Sequence, residues 1–232
     1  SEVHVWMATL DIQQPIVEQF GEALSDDEQQ RAARFRFLKD RLRFIFTRGV
    51  LREILGHYLK VAPGSVRFRY SDYGKPSLAA EYDATHLRFN VSHANEIILL
   101  AFAIDLELGV DVEEIRTDVA TEELAERFFS AHERAVIRSL PAVLRAEAFF
   151  NCWTQKEAFN KAIGEGLSCP LDRFDVVPTP GEPAGLIETR VQGHPASNCL
   201  LQGLAVKPGY KAAIAVENKS WKLCCWQWAN HL

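Results

Sequence analysis

The segment Gly109-Val110-Asp111-Val112-Glu113 has the alternating pattern of a β-strand and carries two carboxylates. Alternate side chains of a strand share a face, so Asp111 and Glu113 lie on one side, about 7 Å apart, while the two valines face the core. Neighbouring carboxylates repel each other, and a hard cation such as Mg²⁺ makes this arrangement favourable. A solvated strand face has the same pattern, so the segment alone leaves both interpretations open.

A second candidate is the helical segment WTQKEAFNKAIGEGL, in which Trp153, Glu157 and Lys161 follow each other at intervals of four residues. This spacing places an aromatic ring, an acid and a base on one stripe of a helix. The glycines that close the segment allow another group to approach the backbone. The alternative is an exposed Glu-Lys pair, which contributes only about 0.3–0.5 kcal/mol.

A third candidate is FNVSH, residues 89–93, where a strand ends and delivers Ser92 and His93 together. Both side chains can donate hydrogen bonds to phosphate oxygens, and backbone N–H groups at such a turn would assist. Nucleophilic catalysis is disfavoured, because adjacent strand residues diverge and the chain has no nucleophile elbow of the G-x-S-x-G type. A capping serine beside an incidental histidine is the other interpretation.

Basic residues are concentrated between Arg31 and Arg52, although the net charge of the chain is −5. A local excess against the global sign indicates an anionic ligand, and it is also common on solvated helix faces. The residues between these two arginines that carry the excess are Arg34, Arg36, Lys39, Arg41, Arg43 and Arg48.

The elements that would position these groups can be predicted from periodicity and capping. Ser25 with Glu28 and Ser130 with Glu133 form two capping boxes, each opening a helix. Two longer helices are predicted over 40–60 and 144–164, the first ended by Pro63-Gly64. Strands are predicted at 3–7, 66–70, 87–91, 97–104, 108–115, 174–177, 186–191, 200–205, 211–216 and 221–228. This order favours an antiparallel α+β fold whose second half loosely repeats the first.

Composition limits the class of protein. The 232 residues are 47% hydrophobic and 25% charged, as in ordinary globular chains, and the acidic balance disfavours nucleic acid as a partner. No apolar run reaches the length of a membrane span, and no signal peptide is evident, so we expect a cytoplasmic protein that does not bind membranes. The five cysteines are odd in number and form no C-x-x-C pair, which predicts buried thiols.

The order of four motifs is more specific than any one of them: YGKP, then FNVSH, then GVDVE, then WTQKEAFNKAIGEGL. This succession resembles the Sfp-type 4'-phosphopantetheinyl transferases of the holo-[acyl carrier protein] synthase-like superfamily. The resemblance covers roughly residues 25–180, and its last motif is the most specific. One departure is Ala94, where the family often has serine or threonine, and the tail beyond about residue 180 matches no motif of the family.

The resemblance implies two similar α+β subdomains related by a pseudo-twofold axis, which we predict to be residues 1–112 and 113–232. Coenzyme A would lie in the cleft between them, and the protein would be a monomer.

The resemblance also implies the site residues. Mg²⁺ would be held by Asp111, Glu113 and Glu157. The residues expected to contact coenzyme A are Lys39, Arg43, Tyr73, Gly74, Lys75, Pro76, Asn90, Ser92, His93, Asp111 and Lys161. Within this set Lys39 is aligned with a residue that contacts the 3'-phosphate, and Arg43 is the alternative.

The implied reaction transfers the phosphopantetheine arm of coenzyme A to a serine of an apo acyl or peptidyl carrier protein and releases 3',5'-ADP. Glu157 would take the serine proton, with Glu113 as the competing base, and Lys161 would stabilise the leaving phosphate. Two other functions stay open, a binding module for carrier proteins without catalysis and a Mg²⁺-dependent phosphatase or nuclease. The native carrier, its pathway and its docking surface are not specified by the sequence.

Overall fold

The computed structural model describes residues 1–10, 14–71, 74–164, 169–217 and 220–229. The helices are α1 Gln14–Ala23, α2 Asp26–Ala33, α3 Leu38–Leu59, α4 Glu122–Phe128, α5 Ala131–Ser139 and α6 Ala142–Ile163. The strands are β1 Glu2–Thr9, β2 Phe68–Tyr70, β3 Pro76–Leu78, β4 Leu87–Ala94, β5 Ile97–Ile104, β6 Leu108–Glu114, β7 Phe174–Val176, β8 Leu186–Thr189, β9 Leu200–Gly203, β10 Tyr210–Val216 and β11 Lys222–Gln227. The predicted α+β class is confirmed.

The predicted elements are present, with bounds that differ by a few residues, and two helices and the short strand β3 were missed. Both capping boxes form: the backbone N–H groups of Ser25 and Ser130 donate to the carboxylates of Glu28 and Glu133 at 3.1 and 2.9 Å. The missed helices are α1 and α4, which have ten and seven residues. None of the described helices combines the length and the apolar character that a membrane span requires.

The strands form one four-stranded sheet of order β11-β1-β5-β4, one three-stranded sheet of order β6-β10-β9, and the two pairs β2-β3 and β7-β8. Strand β6 pairs antiparallel with β10 from Leu108↔Val216 to Glu114↔Tyr210. Strand β6 is thus an edge strand of its sheet. One side of it pairs with β10, and the backbone groups on its other side face away from β10.

The chain divides into two compact units. Unit 1 comprises Ser1–Trp6, Arg88–Ala94 and Leu99–Trp226, and unit 2 comprises Met7–Leu87, Asn95–Ile98 and Gln227–Leu232. These bounds differ from the predicted 1–112 and 113–232, because β6 crosses residue 112 and is hydrogen-bonded along its length to β10. Two subdomains related by a pseudo-twofold axis stay a prediction.

In unit 1 the long helix α6 packs on β6 and β10. Its aromatic residues Phe149, Phe150 and Phe159 are buried, and Phe159 contacts Phe174 of β7 with ring centroids 4.6 Å apart. The helix ends at Gly164, which adopts the left-handed conformation at φ 75° that favours glycine.

A buried ion pair fixes α6 to its surroundings in unit 1. The side chain of Lys156 is fully buried, and its Nζ lies 2.8 Å from Glu133 Oε1. The ammonium also donates to the carbonyl oxygens of Leu171 at 2.7 Å and Phe174 at 2.6 Å. All three donors of Lys156 therefore have acceptors, as a buried charge requires.

Unit 2 contains a second buried pair. Arg52 of α3 and Glu28 of α2 both have fully buried side chains and approach to 2.6 Å. Arg52 also donates to the carbonyl oxygens of Pro63 at 3.0 Å and Val66 at 2.9 Å. The guanidinium thus holds the chain that follows α3 against the start of α2.

Candidate active site

Asp111 lies on the face of β6 that contacts α6, and it is only 4% exposed. Its Oδ1 accepts hydrogen bonds from Ser92 Oγ at 2.9 Å and from Lys161 Nζ at 2.7 Å. Its Oδ2 is buried without a hydrogen-bond partner among the described residues. Because Asp111 is buried, the interpretation of this segment as a solvated strand face is wrong. A buried carboxylate oxygen without a donor is unfavourable unless something else binds it.

Side chains of β4 bond to the backbone of β6. Asn90 Oδ1 accepts from the N–H of Val110 at 2.9 Å, and Ser92 Oγ accepts from the N–H of Val112 at 3.3 Å. Both side chains are buried. They satisfy backbone donors on the edge of β6 that β10 leaves open, which keeps Asp111 in place.

The hydroxyl of Ser92 uses its full hydrogen-bonding capacity inside the protein. It donates to Asp111 and accepts from Val112 and, at 3.2 Å, from Lys161 Nζ. Sequence analysis predicted Ser92 and Asn90 as contacts of coenzyme A and missed this positioning role. The alternation N-V-S, which puts two polar side chains on one strand face, was the signal that could have indicated it.

Glu113 and Glu157 lie close enough to Asp111 for mutual repulsion. Burial, and then the charge of Asp111, raises the pKa of Glu113 from 4.5 to about 7, while Lys161 opposes the shift. The pKa of Glu157 is also raised, first by burial and then by Asp111. Glu113 and Glu157 thus hold protons more tightly than they would in water.

The three carboxylates do not form a closed set of ligands. Within the described ranges, the only three acidic, histidine or cysteine side chains with ligand atoms all within 4.8 Å of one another are Glu2, His4 and Cys224. Lys161 Nζ instead lies against Asp111 and donates to the carbonyl oxygen of Val110 at 3.1 Å.

The contacts of Lys161 cross from α6 to two strands. The interpretation of the Glu157 and Lys161 stripe as an exposed surface pair is therefore wrong. The side chain of Lys161 as a whole is 28% exposed. His93 lies at the exposed end of β4 in the same unit, and its contact with phosphate stays a prediction.

Five of the predicted coenzyme A contacts belong to unit 2, and Tyr73 lies outside the described residues. Gly74 adopts φ 76° in a turn closed by hydrogen bonds between Ser71 and Lys75. The N–H of Lys75 also donates to Ser71 Oγ at 3.1 Å, and Pro76 begins β3. The ligand contacts of these residues stay predictions.

Lys39 and Arg43 lie in the first turns of α3. Lys39 is exposed. The guanidinium of Arg43 lies 3.8 Å from the carboxylate of Asp40. The Nε of Arg43 is buried without a hydrogen-bond partner in the described part of the chain. A buried donor of this kind favours Arg43 over Lys39 as the group that binds an anion.

Comparison with known families gives the class. The profile described as "4'-phosphopantetheinyl transferase superfamily" matches residues 107–215, and that described as "4'-phosphopantetheinyl transferase, N-terminal" matches residues 13–104. The chain belongs to the 4'-phosphopantetheinyl transferase family, and the resemblance drawn from the four motifs is confirmed.

Two relatives found by sequence agree with the class. The chain is 38% identical over 227 residues to the 4'-phosphopantetheinyl transferase HetI of Nostoc sp., covering 98% of this chain and 92% of HetI. It is 30% identical to the 4'-phosphopantetheinyl transferase Sfp of Bacillus subtilis, covering 85% and 84% of the two chains. A solved structure of a holo-(acyl-carrier-protein) synthase of Bacillus anthracis in complex with CoA is also similar. The match includes 49% of this chain and 96% of the synthase chain, at 22% identity and a TM-score of 0.40.

Proposed function

We propose that this protein transfers the 4'-phosphopantetheine arm of coenzyme A to a serine hydroxyl of an apo acyl or peptidyl carrier protein. Membership of the 4'-phosphopantetheinyl transferase family supports the activity. The observation that carries the proposal is the buried carboxylate of Asp111, one oxygen of which lacks a hydrogen-bond partner among the described residues. Two further carboxylates with raised pKa values lie around it.

The three acids fit a divalent cation, and Asp111, Glu113 and Glu157 would hold Mg²⁺. Their oxygens are hard donors, the kind that Mg²⁺ prefers. The unpartnered oxygen of Asp111 and the mutual repulsion of the three side chains are both relieved by positive charge. When bound, Mg²⁺ would neutralise negative charge on the pyrophosphate of coenzyme A.

The side chains of this site then divide the work of transfer. Glu157 accepts the proton of the carrier serine. The serine oxygen forms a bond to the β-phosphorus of coenzyme A as 3',5'-ADP leaves. Glu113 is the competing base. Ser92 holds Asp111 in place.

Lys161 stabilises the leaving phosphate with the positive charge of its ammonium, and Lys75 and His93 bind further phosphate oxygens. Arg43 binds the 3'-phosphate through its buried Nε donor. The protein acts as a cytoplasmic monomer. These assignments rest on the family pattern and on the side-chain environments within each unit.

The direct test is to incubate the protein with coenzyme A, Mg²⁺ and an apo carrier protein, and then to weigh the carrier by mass spectrometry. We expect the gain of one phosphopantetheine arm. Glu157→Gln is expected to lower turnover by about 10²–10⁴-fold with an unchanged circular dichroism spectrum, because the base and a metal ligand are lost.

Glu147→Gln provides a matched control on the same helix. Glu147 pairs with Lys211 near the surface at 2.6 Å, and its loss should leave turnover within about twofold. Normal turnover of Glu157→Gln would remove Glu157 from the mechanism. Binding of the carrier without any gain of mass, across several carriers, would indicate a module without catalysis.

Dephospho-coenzyme A, which lacks the 3'-phosphate, tests Arg43. Arg43→Ala is expected to raise the KM for coenzyme A by about 10-fold or more, because a charged hydrogen bond is lost, and to leave the KM for dephospho-coenzyme A unchanged. Lys39→Ala should change neither constant. The reverse pattern would assign the 3'-phosphate to Lys39.

A further inference from the structure

Glu2, His4 and Cys224 form a compact cluster in unit 1, apart from the three acids discussed above. Glu2 and His4 occupy alternate positions of β1 and so share a face, and Cys224 lies on β11, the neighbouring strand. One carboxylate oxygen, one ring nitrogen and the sulfur lie within 4.8 Å of one another. Ligand atoms of a tetrahedral zinc site lie about 3.5 Å apart, so small side-chain rotations are enough to bring these three to that distance.

The cluster stands on regular strands with an aromatic wall. The N–H of Lys222 donates to the carbonyl oxygen of Ser1 at 3.0 Å, which links β11 to the start of β1. The His4 ring meets Trp226 edge-on with centroids 4.7 Å apart, and Trp6 stacks on Trp226 at 5.2 Å. His4 Nε2 faces Glu2 Oε2 at 3.4 Å. The imidazole is therefore oriented with one nitrogen towards the other two donors.

We propose that Glu2, His4 and Cys224 bind a zinc ion, with water in the fourth position. Thiolate and imidazole are donors for borderline-soft metals, which separates this site from the all-carboxylate set of Asp111, Glu113 and Glu157. Binding requires the thiolate, so the Cys224 thiol releases its proton to solvent as the metal binds. The ion joins β1 to β11, two strands from distant parts of the chain, and stabilises their pairing.

One contact competes with the metal. Lys222 Nζ lies 3.7 Å from Glu2 Oε1, and both side chains are more than half exposed. A surface pair of this kind contributes little to stability, so the metal displaces Lys222 at small cost.

Titration with Co²⁺, a spectroscopic substitute for Zn²⁺, tests the site in the full-length protein. Excess Mg²⁺ saturates the carboxylate set, and a phosphine keeps the thiols reduced. We expect a thiolate-to-Co²⁺ charge-transfer absorption that Zn²⁺ abolishes at one equivalent. Cys224→Ser should lose this absorption, His4→Ala should weaken binding strongly, and Lys222→Gln should tighten it.

Cys225→Ser is the matched control, because its side chain points to the opposite face of β11 and is exposed. This variant should keep the absorption, and Zn²⁺ should raise its Tm as it does in the unsubstituted protein. Absence of a charge-transfer band, or a band that survives Cys224→Ser, would overturn the proposal. Loss of phosphopantetheine transfer is not part of the expected result, so transferase activity and zinc binding are judged separately.

Discussion

Burial intensifies the repulsion among the side chains of Asp111, Glu113 and Glu157. Burial is the first cause of the raised pKa of Glu113 and Glu157, and the charge of Asp111 is the second. Glu113 and Glu157 are therefore more easily protonated in the folded chain than in water. A divalent cation reverses this effect, because it favours the charged form of every ligand.

Glu113→Gln is expected to stabilise the protein when no divalent cation is present. The folded state raises the pKa of Glu113 from 4.5 to about 7, so the native state binds more protons in this range and stability falls as pH rises through it. At pH 8 the variant should gain about 1 kcal/mol of unfolding free energy, a value reduced for solvent screening of a partly exposed group.

Urea denaturation in EDTA at pH 4 and pH 8 measures this difference. At pH 4 the carboxyl is protonated in both states and the gain should vanish. An equal gain at both pH values would show that packing, rather than charge, is responsible. Added Mg²⁺ should stabilise the unsubstituted protein and have a smaller effect on the variant.

The distance between α6 and β6 depends on Gly109. A Cβ atom at this position would lie 2.1 Å from the carbonyl oxygen of Ala158 and 2.5 Å from the backbone nitrogen of Ala162. The missing side chain thus allows the backbone of the helix to contact the strand. This contact brings the residues of α6, Glu157 and Lys161, up to Asp111.

Gly109→Ala is therefore expected to destabilise the protein by about 3 kcal/mol and to lower transferase activity at temperatures where the chain stays folded. Backbone atoms of α6 cannot move aside as a flexible side chain would, so the cost is at the upper end for overpacking. Thermal denaturation and the carrier mass assay provide the two measurements.

Gly203→Ala is a control in the same sheet. Among the described residues its added Cβ would meet only Ala184 Cβ, at 3.9 Å, which is ordinary contact. We expect less than about 1 kcal/mol of change. Similar effects of the two substitutions would mean that glycine flexibility, rather than the approach of α6, explains the result.

The chain as a whole uses one arrangement twice. In each unit a capping-box glutamate, Glu28 or Glu133, pairs with a buried cation on a long helix, Arg52 or Lys156. Each cation lies fourteen residues after the first residue of a 22-residue helix, and each helix ends in a left-handed residue. This correspondence supports the prediction of two similar subdomains, which followed from the family resemblance and agrees with the loosely repeated order of elements.

Arg52→Met and Lys156→Met are expected to destabilise different parts of the protein. Lys156→Met removes the cation that pairs with the buried Glu133, at a cost of about 3–5 kcal/mol. Arg52→Met leaves Glu28 with the buried Arg48 at 3.3 Å, so we expect a smaller cost there. Hydrogen exchange should show lost protection in unit 2 for Arg52→Met and in unit 1 for Lys156→Met.

Lys211→Met serves as the comparison for Lys156→Met. Lys211 forms a partly exposed pair with Glu147, and its loss should cost less than about 1 kcal/mol. Restoring neutrality with Glu133→Gln in the Lys156→Met background should recover part of the protection. Uniform loss of protection across both units would instead show that the protein unfolds as one cooperative unit.

The sequence by itself determined the elements and the family. Capping boxes, alternation and helical spacing involve residues a few positions apart, so α2, α5, α6 and β6 could be predicted from local physics. The helices α1 and α4 were missed, since they have only ten and seven residues and no S-x-x-E pattern in the sequence marks their start. The order of four motifs identified the family, and the family profiles confirmed it.

Only the tertiary structure decided what the site residues contact. Ser92 and Lys161 are 69 positions apart, and no periodicity could indicate that both bind Asp111. The burial of Lys156 was also hidden, because a lysine on a helix is ordinarily solvated and only its approach to Glu133 and two carbonyl oxygens makes burial favourable. Hydrogen-bond partners and pKa values depend on which distant groups meet through space, and that is determined when the helices and strands pack.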